Sequence, residues 1–235
     1  MPHFTPPLQT GTLIKRYKRF LADVVLEGQE ITVHCPNTGP MTGCAVPGWR
    51  VALSHSDNPR RKLPYTLEMV NNGESWIGVN THQANRVAEE ALHQERIPEL
   101  QGYGQIKREV RYGEEKSRID FLLQNADRAD CYVEVKSVTL LENDVHLFPD
   151  TVTTRGQKHL RELMQLPRQG KRAVMLYLVQ REDGESLFRP AKDYDPAYAD
   201  LVQEARAAGV EILAYQCQLS PEQWVLKRSL HVEIA

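Results

Sequence analysis

The sequence predicts a small β-barrel followed by an α/β domain with a mixed sheet flanked by helices. Three observations lead there. Residues 12–79 divide into six short strand-like runs separated by Gly, Pro and Asn. From Thr81 the apolar spacing changes to a helical period. Farther on, Ala173-Val174-Met175-Leu176-Tyr177-Leu178-Val179 is an unbroken apolar run, as a strand covered on both faces requires.

The six runs are 12–18, 20–27, 30–35, 49–54, 65–71 and 76–79, with breaks such as Gly28-Gln29, Pro47-Gly48 and Asn72-Gly73. Alternation is clear in the third, where Ile31, Val33 and Cys35 interleave with Glu30, Thr32 and His34. This strand number and size suit an oligonucleotide-binding barrel, assigned to residues 1–80. Residues 81–235 form the second domain. Its first helix, 81–95, carries Ala84, Val87, Ala88, Ala91 and Leu92 on one face. Strands follow at 106–112, 118–124 and 131–138. A helix at 155–166 opens on Thr154-x-x-Gln157, which fits a capping box, and precedes Pro167 and Gly170. A strand at 172–179, a helix at 195–208 ended by Gly209 and a strand at 210–217 complete an α/β order.

Composition excludes several classes. With 41% hydrophobic and 26% charged residues the 235-residue chain can build a core, so wholesale disorder is ruled out. No apolar run approaches the ~18–20 residues of a membrane helix. Residues 1–7 lack the basic flank and apolar core of a secretion signal. The four cysteines, Cys35, Cys44, Cys131 and Cys217, lie far apart, as expected of reduced thiols in a cytoplasmic protein. The net charge of -2 is unevenly spread. Residues 1–80 carry eight basic against six acidic groups, clustered as Lys15-Arg16-x-Lys18-Arg19 and Arg60-Arg61-Lys62, and the remainder is acidic. A solvated surface of mixed sign explains these counts as well as a nucleic-acid surface does.

The chemistry concentrates in Ser117-Arg118-Ile119-Asp120-Phe121 and Cys131-Tyr132-Val133-Glu134-Val135-Lys136. Alternate residues of a strand share a face, so Glu134 and Lys136 point one way and Val133 and Val135 the other. A hairpin centred near Asp127 sets Asp120 across from Glu134, where opposed side chains lie ~4.5–5.5 Å apart. Two carboxylates at ~4 Å repel by roughly 4 kcal/mol at an effective dielectric near 20. A hard divalent cation removes that cost, and Mg2+ is typically held by one or two carboxylates with water and phosphate. The Lys136 ammonium beside them suits stabilisation of a phosphate's charge. The competing reading is a cross-strand ion pair on an exposed edge hairpin. Glu114-x-Lys116 repeats the spacing without strand alternation and serves as a comparator for chance matches. On the downstream helix Arg155, Lys158, His159 and Glu162 share one side; a basic first turn there can hold a phosphodiester, or it is simply solvated. Gln157 reads equally as cap or as site residue.

Several segments resemble the sugar fermentation stimulation protein A family. They are Leu13-Ile14-Lys15-Arg16-Tyr17-Lys18-Arg19-Phe20-Leu21-Ala22-Asp23, His34-Cys35-Pro36-Asn37-Thr38-Gly39, Ser117-Arg118-Ile119-Asp120-Phe121 and Glu134-Val135-Lys136-Ser137-Val138-Thr139. Phe148-Pro149-Asp150 and Arg155-Gly156-Gln157-Lys158-His159-Leu160 extend the resemblance over nearly the whole chain. It implies an oligonucleotide-binding barrel joined to a restriction-endonuclease-like domain of the PD-(D/E)XK type, with DNA binding as the attributed activity. By motif, Asp120, Glu134 and Lys136 fall on the nuclease triad, with Asp120 and Glu134 as the metal ligands. Arg118-Ile119 stands where that superfamily often has Pro. Glu90, in the preceding helix, fits the place of a further acidic residue.

The expected function is therefore a DNA-binding, Mg2+- or Mn2+-dependent phosphodiesterase with little sequence specificity. The alternative is a non-enzymatic DNA-binding regulator of sugar-fermentation genes on a nuclease scaffold; RNA as substrate also stays open. The expected DNA contacts are Arg16, Lys18, Arg19, Asn37, Thr38, Arg60, Arg61, Lys62, Arg155 and Lys158, with Tyr17 and Tyr65 as stacking rings. No membrane partner is expected, and a monomer and a homodimer are both compatible with the sequence. His34, Cys35 and Cys44 fall one ligand short of a zinc pattern and read as structural. Asp144 and His146 read as water-facing loop residues.

Overall fold

The computed structural model describes residues 4, 6–113 and 117–234. The comparator Glu114-x-Lys116 lies outside the described residues, as do residues 1–3 and 5. The elements in chain order are β1 (Gln9–Tyr17), β2 (Leu21–Leu26), β3 (Gln29–His34), β4 (Arg50–His55), β5 (Tyr65–Asn71) and β6 (Trp76–Gly78). Then come α1 (His82–His93), β7 (Gln105–Tyr112), β8 (Ser117–Asn125), β9 (Arg128–Val138), β10 (Leu140–Glu142) and β11 (Val145–Phe148). The chain closes with α2 (Thr154–Leu163), α3 (Gln165–Arg168), β12 (Arg172–Val179), β13 (Leu187–Pro190), α4 (Pro196–Ala207), β14 (Glu211–Leu219), β15 (Trp224–Ser229) and β16 (His231–Val232).

The first sheet runs β3-β2-β1-β4-β5-β6, and a parallel pairing of β3 with β5 at His34 and Thr66 closes five of its strands into a barrel. Register shifts leave Ile14 of β1 and Glu68 of β5 as extra residues in their ladders, bulges of the kind that bend strands around a barrel. Leu13, Val24, Val33, Val51, Leu53, Leu67 and Val70 fill its interior. Cys35 and Cys44 belong to this core as free thiols, which agrees with their structural reading.

The second sheet runs β15-β14-β12-β9-β8-β7. Its middle strands β9, β12 and β14 are parallel and its flanks antiparallel. That explains why β12 is apolar throughout: α1 covers one face through Val87, Ala88 and Ala91, and α2 and α4 cover the other through Leu160, Leu163, Val202 and Ala205. A small sheet, β10-β11-β13-β16, lies beside it. The expected barrel and mixed-sheet domain are both present. Among the described residues, no helix is long and apolar enough to cross a membrane.

The two lobes share a core. Ala52 and Met69 of the barrel join α1 and Trp224 in one apolar cluster. Gly78 permits this contact, because a Cβ there would fall 2.0 Å from Trp224. Polar ties reinforce it. Buried Glu68 accepts from Ser54, Asn80 and Gln83, and Asp183 accepts from Asn72, Ser75 and Arg181.

Local differences from expectation have local causes. The helix expected over 155–166 breaks at Met164, since Pro167 has no N–H to give Leu163. Its cap is Thr153, whose hydroxyl accepts from Gly156 N, and the Thr153 amide donates to Asp195 at 2.8 Å. Asp195 thus takes the place that a capping-box Gln157 would fill. His146 does not face water: it sits on β11 with 0% exposure, and neither ring nitrogen has a partner among the described residues. Burial, with Arg181 nearby, pushes its pKa down to about 4.

The unfolded chain takes up that proton near pH 6.5 and the folded chain only near pH 4. This residue therefore adds stability above pH 6.5 that is lost as pH falls towards 4, up to ~3 kcal/mol. Chemical denaturation at stepped pH should give His146→Leu a flatter stability profile than wild type in that window. Parallel profiles would contradict the burial of a neutral ring.

Candidate active site

The β8–β9 hairpin turns at Ala126-Asp127, between Asn125 and its partner Arg128, and pairs Phe121 with Val133. Continued by one step, that register sets Asp120 across from Glu134. The ladder stops there. The Val135 amide donates instead to Asp120 Oδ2 at 2.7 Å, so the carboxylate replaces a ladder bond where the strands part. Asn85, from α1, donates to Asp120 Oδ1 at 2.8 Å. On β9, Lys136 donates to Glu134 Oε1 at 2.8 Å, and His159 of α2 shares the same oxygen through Nδ1. Lys136 Nζ lies 3.2 Å from that ring nitrogen. Arg155 Nε, 3.4 Å from His159 Nε2, completes the chain of contacts. Nε2 faces a donor, Arg155, while Nδ1 faces both an acceptor, Glu134, and a donor, Lys136.

Burial sharpens the electrostatics. Glu134 is 3% exposed, and its side chain and that of Lys136 are 4% and 13% exposed. Such a group rules out the exposed edge-hairpin reading, since β9 lies between β8 and β12. Burial and the neighbouring Glu134 charge push Asp120 up to about 6. Burial acts on Glu134 in the same direction, but Lys136 and His159 outweigh it and hold its pKa below the usual range. Two carboxylates with their pKa values driven apart are the pattern of a shared-charge site.

The donor set fits a hard divalent cation. Glu134 Oε2 is buried without a hydrogen-bond partner among the described residues, leaving lone pairs open. Both Asp120 oxygens accept one bond each and keep further acceptor capacity. No cluster of three or more His, Cys, Asp or Glu able to hold a metal exists among the described residues. A cation held here would therefore take its remaining ligands from water and substrate, as Mg2+ commonly does.

The structure brings Asp120, Glu134 and Lys136 together and moves other candidates away. Gln157 donates to both oxygens of Asp195 at 3.0 Å, so it binds the α4 cap and not the carboxylate pair. Glu90 accepts from Gln94 at 2.9 Å and lies near Val225 and Leu226, and the α1 residue bonded to Asp120 is Asn85. Arg16 is a structural clamp: it donates to the carbonyls of Arg19, Asn37, Gly39 and Pro40 at 2.7–3.2 Å. Lys18, Arg19, Thr38, Arg60, Lys62 and Arg155 are exposed. Arg61 donates to Thr66, and Lys158 is half-buried on α2. Asn37 accepts from Gly39 N and lines a cavity of about 140 Å³ with Thr81, Ser137 and Asp150. Sequence reasoning passed over Asn85, and it named His159 only as part of a basic helix side, without its contact to Glu134. The helical spacing had put His159 beside Arg155, but the pattern alone did not show that this side meets the sheet.

The lobes match known proteins. A family model described as the sugar fermentation stimulation protein RE domain covers residues 82–223, and the SfsA N-terminal OB domain covers 14–79. The chain belongs to the sugar fermentation stimulation protein family. A sugar fermentation stimulation protein homolog from Shewanella frigidimarina (strain NCIMB 400) is 56% identical over 221 residues, 93% of this chain and 94% of that one. The solved structure of Pyrococcus furiosus SfsA in complex with Ca2+ is similar at a TM-score of 0.88 and 31% identity, covering 97% of this chain and 96% of that one. Within this family fold, the lobe matched by the RE-domain model carries the carboxylate pair and the barrel carries the basic loops.

Arg16→Ala strands several carbonyls and should cost ~1–2 kcal/mol of stability, whereas Lys18→Glu and Arg19→Glu at the exposed turn should stay within ~0.5 kcal/mol of wild type. Thermal unfolding of the three variants checks this; equal stability would contradict the clamp.

Proposed function

We propose that this protein binds DNA with little sequence preference and hydrolyses its phosphodiester bonds at Asp120 and Glu134, using Mg2+ or Mn2+. The observation that carries this reading is the buried carboxylate pair, with Glu134 Oε2 unpartnered beside Lys136. The Ca2+ complex of the Pyrococcus furiosus relative supports divalent-cation binding in the family. A cation bound between the carboxylates would neutralise their repulsion and stabilise charge on the reacting phosphate.

The protein's own groups have distinct parts. Asp120 and Glu134 hold the cation. Asn85 and the Val135 amide orient Asp120, and His159 orients Glu134. Lys136 places a positive charge where the phosphate or the attacking water would sit. The barrel supplies the DNA track. Registers Leu21↔His34, His34↔Thr66 and Tyr65↔His55 put the Lys18-Arg19 turn and the Arg60–Lys62 loop at one end of the barrel. The neighbouring Asn37 loop shares its cavity with Ser137, next to Lys136, so the basic end leads towards the carboxylates. A cytoplasmic location agrees with this role and with the free, buried thiols.

Purified protein should cut linear or circular DNA only with Mg2+ or Mn2+. Lys136→Ala and Lys136→Gln should keep the fold and most DNA affinity, yet lose cutting by ~10²-fold or more. Equal cutting by wild type and variants would mark contamination and contradict the assignment. No cutting of linear, nicked or single-stranded DNA would favour the regulator. DNA affinity should fall steeply between ~50 and 200 mM salt, and more gently for Lys18→Glu/Arg19→Glu; a flat salt response would contradict the barrel's role.

A further inference from the structure

A cavity of about 620 Å³ lies over the second sheet beneath α2 and α3, and the carboxylate chemistry does not account for it. Tyr112, Tyr132 and Leu166 form its buried floor, and Arg111, Arg161 and Lys171 stand around it. Lys171 donates to the Tyr132 hydroxyl at 3.3 Å and lies 5.2 Å from the ring centre. Arg111 and Arg161 are exposed, with their guanidinium groups available to a ligand. Tyr112 is 8% exposed, and its hydroxyl has no hydrogen-bond partner among the described residues.

The cavity adjoins the carboxylate pair. Tyr132 precedes Glu134 by two residues on β9, so both face α2 about 7 Å apart along the strand. Glu162, on the cavity wall, follows His159 by three residues, about 4.5 Å along the helix. Burial raises the pKa of Tyr112, and the charges of Glu134, Glu162 and Asp120 raise it further. The Glu162 carboxylate repels an anion on its own side, so a phosphate belongs towards Arg111, Arg161 and Lys171.

We propose that this cavity seats one nucleotide of the strand being cut, the one flanking the phosphodiester at Asp120 and Glu134. The proposal rests on the nuclease reading for that placement. Three cations suit a phosphate, the tyrosine and leucine floor suits a base, and Gln165 and Gln169 offer amides to its edge. A free mononucleotide has the same chemistry; contiguity with the carboxylates favours a nucleotide within a strand.

The test uses dAMP and the full chain without metal, followed by isothermal titration calorimetry. Wild type should bind dAMP saturably and at least tenfold more tightly than deoxyadenosine or inorganic phosphate. Arg111→Glu and Arg161→Glu, at exposed positions that leave the fold intact, should weaken binding at least tenfold. A short single-stranded oligodeoxynucleotide should displace dAMP. Absence of saturable binding, or rim variants that bind like wild type, would overturn the proposal. Failure of the oligonucleotide to compete would overturn it in favour of a free-nucleotide site. Because the readout is binding without metal, dAMP binding in a protein that never cuts DNA would sink the nuclease reading and the placement beside a scissile bond, and leave the nucleotide site itself standing. Cutting in a protein that never binds dAMP would sink this one alone.

Discussion

Glu134 is a carboxylate taken almost wholly out of water inside a six-stranded sheet, and the arrangement around it follows from the cost of that burial. An isolated buried charge is expensive, and a partner helps only when geometry and further hydrogen bonds are favourable. Lys136 and His159 meet one oxygen of Glu134 and leave the other open. Burial, together with that neighbouring charge, raises the pKa of Asp120. The two carboxylates therefore do not share equal standing in the metal-free protein. One stays ionised through its partners, and the other is held near the boundary of ionisation. A divalent cation is the simplest agent that satisfies both.

The fold supplies this geometry by interrupting its own regularity. β8 and β9 run as an ordinary antiparallel pair up to Phe121 and Val133, then separate, and the Asp120 side chain takes a backbone amide. Full pairing would have spent that amide on the neighbouring strand and freed the carboxylate to turn away. On its other side β9 pairs with β12 from Cys131 to Val138, which keeps Glu134 and Lys136 rigid while β8 diverges. The barrel is fixed to this framework through Trp224 against Gly78 and through the Glu68 and Asp183 networks. Basic loops at the barrel end consequently keep one position relative to the carboxylates.

Periodicity and turn chemistry revealed most of the architecture in the sequence. The barrel strands and α1, β12, α4 and β14 all carry clear apolar spacing and defined breaks, and Asp120, Glu134 and Lys136 followed from strand alternation plus one hairpin. The short strands β10, β11, β13, β15 and β16 were not legible, because two to six residues hold too little pattern to separate a strand from a loop. Arg16 and Gln157 show a different limit. Each has the right chemistry for the site, but its hydrogen bonds go elsewhere, to loop carbonyls and to Asp195. His159 shows the converse, a helix residue whose contact with Glu134 depends on how α2 packs on the sheet.

Calorimetric titration of the metal-free protein with Mn2+ tests the central claim, that the Asp120–Glu134 pair is a cation site, most directly. Wild type should bind with a clear saturable heat, and both Asp120→Asn and Glu134→Gln should lose it while still unfolding cooperatively. Undiminished binding in both variants, or no binding by wild type at millimolar Mn2+, would contradict the account and leave Glu134 as a buried ion-pair partner of Lys136.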